Sequence, residues 1–120
     1  GDAVTKEVWD VVKATDNSLV NINDYIGVYK DNWFGNIEVF TKGDKLWMKS
    51  HRSPKLNGEM FFYKANTFAV KWEYQDMNAD AFAMFSLNEE GKAQSIKMKG
   101  ISPNIDFSFD FHDLDLSRVD

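Results

Sequence analysis

The sequence predicts an all-β domain: roughly eight short antiparallel strands closed into a barrel, preceded by one short N-terminal helix. Three observations predict it. From Asp24 onward apolar and polar residues alternate with a period of two, the spacing that puts successive side chains on opposite faces of a strand. Turn-forming residues punctuate the alternating stretches, as at Lys42-Gly43-Asp44-Lys45, Asn57-Gly58 and Asn88-Glu89-Glu90-Gly91-Lys92. The connections are too short for crossover helices, so neighbouring strands pair antiparallel, and closure removes the unpaired edges of an open sheet.

The helix comes first. Val4, Val8, Val11 and Val12 with Trp9 fall on one helical stripe, and Lys6, Glu7, Asp10 and Lys13 lie opposite. Thr5 is placed to cap it. Valines are poor helix formers, so this helix needs a surface to lie on. A polar connector follows, so that residues 1–21 form helix and connector and residues 22–120 the barrel domain.

The strands follow in order. Tyr25 to Tyr29 opens the barrel. Asn36 to Thr41 and Leu46 to Lys49 flank a hairpin turn in which Gly43 supplies a positive φ. Met60 to Tyr63, then Phe68, Val70 and Trp72, then Ala81 to Leu87, then Ser95 to Lys99 continue the pattern. Phe107, Phe109 and Phe111, alternating with Asp106, Ser108, Asp110 and His112, read as the last long strand.

The bulk properties bound the function. With 120 residues the chain makes one domain, and at 15% aromatic content it can build a substantial core. The net charge of −5 and the lack of a basic run argue against nucleic-acid partners. The absence of cysteine removes disulfides, thiol catalysis and thiolate metal sites. No apolar stretch reaches the roughly 20 residues of a membrane helix, so no membrane insertion is expected.

Chemistry is sparse. There is no Ser-x-x-Lys and no Gly-x-Ser-x-Gly, so neither of those serine nucleophile motifs is present. His112 stands between Asp110 and Asp113, and the plainer reading of that group is a polar outer face beside a phenylalanine-lined inner one. Asp76-x-Asn78-x-Asp80 matches the opening of a calcium loop, yet the positions that need Gly and Glu hold Ala81 and Leu87. No metal or cofactor is expected. Trp33, Trp47, Trp72, Phe82, Phe107 and Phe109 either fill the barrel or line a ligand cavity, and a barrel of this size is usually filled. Arg52, in Arg52-Ser53-Pro54, is expected to form a structural ion pair with Asp110 or Asp113.

Several segments taken in order resemble a known family. They are Asp24-Tyr25-Ile26-Gly27-Val28-Tyr29, Asn32-Trp33-Phe34-Gly35, Arg52-Ser53-Pro54, Asp80-Ala81-Phe82 with Phe85 and Leu87, Gly91-Lys92, and a C-terminal run. That run holds Ser102-Pro103, Asp106-Phe107-Ser108-Phe109-Asp110-Phe111, Asp113-Leu114 and Arg118-Val119. Together they are similar to the C-terminal domain of unknown function, of the DUF3471 type, found after the catalytic domain of serine β-lactamase-related hydrolases. The resemblance covers about residues 22 to 119. It implies a lipocalin-like barrel and a non-catalytic accessory role in the bacterial periplasm or outside the cell. The partner it implies is a serine hydrolase catalytic domain, in cis or as a separate chain, on which the barrel packs or which it gates. The nucleophile would lie in that other domain, so no catalytic residue carries over. The alternative is a free-standing lipocalin-like binder of a small apolar ligand.

Overall fold

A computed structural model describes residues 2–16, 20–76, 78–103 and 114–120. The chain runs from helix α1 (Ala3–Ala14) through a 3-10 turn (Ile22–Asp24) into the strands. These are β1 (Gly27–Asp31), β2 (Gly35–Lys42), β3 (Lys45–Ser50), β4 (Asn57–Lys64), β5 (Thr67–Trp72), β6 (Ala81–Leu87), β7 (Ala93–Gly100) and β8 (Leu116–Arg118). Each strand pairs antiparallel with the next, and β8 returns to β1 to close the barrel. The expected fold class is the observed one.

Among the described residues, the seam at β8 is the thinnest part of the wall. β8 meets β1 through Tyr29↔Arg118 and Lys30↔Ser117, and β7 through Ser95↔Ser117 and Ile96↔Leu116. By contrast β2 and β3 stay in register from Ile37↔Ser50 to Lys42↔Lys45, where Gly43 turns the hairpin at φ 65°. Three residues are too few to carry a period-two pattern, so β8 has no signature of its own in the sequence. The strand expected at residues 107–111, with Phe107 and Phe109, lies outside the described residues.

The interior is built from alternate residues of every strand. Tyr29, Ile37, Val39, Leu46, Met48, Met60, Phe68, Val70, Trp72, Phe85, Ile96 and Leu116 are buried together. Tyr25, Tyr29, Phe68 and Phe85 meet edge to face with ring centroids 4.8 to 6.0 Å apart, the geometry that aromatic quadrupoles favour. Room for these rings comes from small partners: Ala83 sits opposite Phe68 and Ala81 opposite Val70.

The alternation fixes which residues share a face but not which face is inside. Phe40, Trp47, Phe61 and Phe82 occupy the outward parity of strands whose inward positions are Ile37 and Val39, Leu46 and Met48, Met60, and Ala81 and Ala83. The expectation that Trp47 and Phe82 point into the barrel is therefore corrected. Their apolar surface is covered instead by neighbours: Lys42 Nζ lies 4.2 Å above the Trp47 ring and Lys49 Nζ 5.1 Å above Phe40, the long stems shielding the rings while the amines stay in water.

Helix α1 covers the remaining outer aromatics. Val8 packs with Ala69 and Ile101, with Trp9, Val12, Tyr63 and Phe82 around them. Trp9 meets Phe61 edge-on at 5.3 Å and donates its indole N–H to Asp80 Oδ2 at 3.2 Å. The helix thus lies on the barrel's side wall, over β4 and β5. Its cap is Asp2, not Thr5: Asp2 Oδ1 accepts the Thr5 N–H at 2.8 Å. Thr5 is the third helical residue and faces the barrel, which leaves the capping position to the carboxylate in front of it. Asp2 also accepts from the Ser102 hydroxyl. The Ser102 and Thr5 hydrogen bonds hold its carboxyl at about 2, below the usual aspartate value.

Candidate functional site

Antiparallel closure sends the connections alternately to two ends of the barrel. The β1–β2 turn, the 51–56 loop and the 73–80 loop share one end. The 3-10 turn, the β2–β3 turn and the C-terminal residues share the other.

At the first end a single carboxylate shapes the turn. Asp31 Oδ1 accepts the backbone N–H groups of Trp33 and Phe34, each at 2.8 Å, and Oδ2 accepts the N–H of Asp115 at 2.8 Å. Asp31 is buried, and these bonds stabilise its charged form. The Asp115 N–H is the largest cause holding its carboxyl below the usual range, followed on the same side by those of Phe34 and Trp33. Arg52 adds a bond from Nη1 to the Trp33 carbonyl at 2.5 Å. Its own loop is held by Ser50 Oγ, which accepts the N–H groups of Arg52 and Ser53 at 3.1 and 3.0 Å. The result is a fixed turn that presents Trp33 to solvent, 88% exposed. The expectation that Trp33 lines the interior is corrected, because a tight turn beyond the strand ends projects its side chain away from the core.

At the second end a guanidinium closes the barrel floor. Arg118 donates from Nε to the Ala93 carbonyl at 2.5 Å, from Nη1 to the Ile26 carbonyl at 2.9 Å and from Nη2 to the Tyr29 hydroxyl at 2.9 Å. It also pairs with Asp120 at 3.1 Å and lies 5.0 Å above the Tyr29 ring. Gly27 leaves room for it: a Cβ there would overlap the guanidinium. The Tyr29 hydroxyl in turn donates to the Tyr25 carbonyl at 2.8 Å.

Burial pushes the Tyr29 phenol up to about 12, against a smaller opposing pull from Arg118. The folded value lies above the unfolded one. The stabilisation is therefore complete below pH ~10 and is lost as pH rises from about 10 to about 12, amounting to roughly 2–3 kcal/mol at full ionisation. Denaturant melts should show this alkaline loss, and Tyr29→Phe, though less stable at neutral pH, should show a shallower one. Equal alkaline slopes would mean that another group titrates.

The remaining sequence candidates are spread apart. Trp72 is buried in the core and Phe82 is half-buried under the helix. His51 Nε2 lies 3.5 Å from Glu38 Oε1 on the surface. The calcium-like stretch is divided among other partners: Asn78 donates to Ser102 Oγ at 3.1 Å, and Asp80 accepts from Trp9 and from Gln75 at 3.2 Å each. Among the described residues no three His, Cys, Asp or Glu side chains converge. Phe107, Phe109, Asp110 and Asp113 lie outside the described residues, and with them the expected Arg52 ion pair.

A cleft of about 190 Å³ opens where β3 and β4 part beyond the Leu46↔Met60 pair. Leu46, Met60 and Phe68 form its floor, Val20 and Ile22 its apolar cover, and Lys45 and Glu59 its charged rim.

The family model described as "Domain of unknown function (DUF3471)" matches residues 12–118, most of the chain, and the chain belongs to that family. No curated protein and no solved structure matches it.

Proposed function

We propose, with membership of the DUF3471 family as the premise, that the barrel is a non-catalytic accessory module of a serine β-lactamase-related hydrolase. It packs on the catalytic domain or gates entry to it, in the periplasm or outside a bacterial cell. The β-lactamase-related context comes from the sequence resemblance. One observation carries the accessory role: the space between the described strands is occupied by side chains of the aromatic and aliphatic core, so the barrel offers its surface rather than a lumen. The chain lacks Ser-x-x-Lys, which leaves the nucleophile to the partner domain.

Two measurements test this. The barrel alone is expected to turn over neither nitrocefin nor D-amino-acid peptides, and measurable turnover overturns the non-enzyme reading. Joined to such a hydrolase domain, the barrel is expected to raise its Tm or alter its kcat/KM relative to the domain alone. A hydrolase indifferent to the barrel overturns the accessory role.

The 190 Å³ cleft favours a second reading, a binder of one small apolar molecule. It falls short of the roughly 300–1,000 Å³ usual for ligand pockets but resembles in size cavities that hold a single aromatic ring. Saturable shifts of the Leu46 and Met60 methyl resonances on adding indole would support it, and unperturbed methyls would exclude it.

A further inference from the structure

We infer that the outer face of the β1–β8 seam carries a carbohydrate-binding cleft with Trp33 as its stacking platform. A cleft of about 410 Å³ runs there, lined by Lys30, Asn32, Trp33, Asp115, Ser117 and Val119. Lys30 and Ser117 are opposite each other in the β1–β8 ladder. Trp33 is 88% exposed and Val119 55%.

Three features point to a sugar. The first is the indole itself, a side chain that elsewhere buries about 150–250 Å² and here stands in water. The second is that its turn is fixed beforehand, by the Asp31 carboxylate on two backbone N–H groups and by Arg52 on the Trp33 carbonyl. Binding therefore orders little further backbone. The third is the company it keeps. Lys30, Asn32, Asp115 and Ser117 supply an amine, an amide, a carboxylate and a hydroxyl beside the ring. Lys, Asp and Ser are the types depleted in protein–protein interfaces, so the surroundings argue against a protein anchor. They suit a ligand with an apolar C–H face and a rim of hydroxyls. Lys30 and Asp115 offset each other, and Asp115 already pairs with Lys97 at 3.1 Å. Asp31, which also lines the cleft, is buried with both carboxylate oxygens taken by backbone N–H groups, so an uncharged glycan is the fitting class. The cleft is open, which suits an internal unit of a glycan chain held weakly. This site lies outside the accessory reading and does not depend on it.

The test is a titration of the whole chain with two uncharged probes, cellotetraose and the tetramer of β-1,4-linked N-acetylglucosamine, followed on the indole N–H resonances of the four tryptophans. Trp33 is assigned by its disappearance in Trp33→Ala, a change at an exposed position that leaves the fold intact. At least one probe is expected to shift the Trp33 signal saturably with a Kd of roughly 0.1–5 mM. Trp33→Ala should weaken binding tenfold or more, read on the ligand signals, and Ser117→Ala several-fold, while Trp47→Ala keeps wild-type affinity. A Trp33 signal unmoved by either probe up to ~20 mM, or binding that survives intact in Trp33→Ala, overturns the inference.

Discussion

Trp72→Ala is expected to lower the stability by about 4–5 kcal/mol, the upper range for truncating a buried aromatic side chain. Trp72 is 1% exposed and sits among the largest buried side chains of the barrel. The cavity would be flanked by strand residues whose backbones are tied into ladders on both sides, so the wall cannot collapse onto it. A second loss adds to the first. The Trp72 indole donates to the Ala79 carbonyl at 2.6 Å, a bond that holds the β5–β6 loop over this end of the core. Trp72→Phe restores most of the volume but leaves that carbonyl unpaired, and should cost about 1–3 kcal/mol. Denaturant melts measure both. Trp33→Ala is the internal contrast, expected within about 0.5 kcal/mol of wild type. Comparable losses at the two tryptophans would contradict the burial described here.

The second large effect is expected at Arg118. Its side chain is 8% exposed and its donors reach two carbonyls, a phenol and a carboxylate. Arg118→Met keeps much of the length and removes every donor, leaving the Ala93 and Ile26 carbonyls without that partner. A loss of about 3 kcal/mol or more is expected, since hydrogen bonds to a charged donor contribute roughly 1.5–3 kcal/mol each and are not additive. Arg118→Lys should recover little, because one ammonium cannot reproduce a planar fork that serves several acceptors. The damage should concentrate at the seam, where β8 contributes only three residues. Amide exchange at Tyr29, Lys30 and Ser117 should quicken more than at Val39 or Met48 in the long β2–β3 ladder. Uniform quickening across the barrel would show that Arg118 does not act locally.

Which parts of this were legible in the sequence follows from range. Gly43 was readable as a turn because the turn and its strands are contiguous, and the structure places it at φ 65°. The helix is readable from its valine stripe, but its cap lies three residues before the expected Thr5, because a capping residue is recognised only once the first helical residue is known. Arg118 stood in a matched segment without a readable role. Its partners Ala93, Tyr29 and Ile26 are 25, 89 and 92 residues away in the chain, a separation no local pattern encodes. The role of Asp31 is not legible locally for a related reason. An aspartate before Asn-Trp-Phe-Gly reads as turn composition, and its third bond, to Asp115, spans 84 residues.

The class of molecule is written in local signals: alternation and turn chemistry act over a few residues, and together they dictate short antiparallel strands around an aromatic core. Which aromatics are core and which are surface depends on how the barrel closes. Trp47 and Phe82 alternate as faithfully as Trp72, yet their parity turns them outward. The inward face of each strand is chosen by what must fit against the neighbouring strands once the ring is closed, and that volume constraint is a property of the whole barrel rather than of any segment.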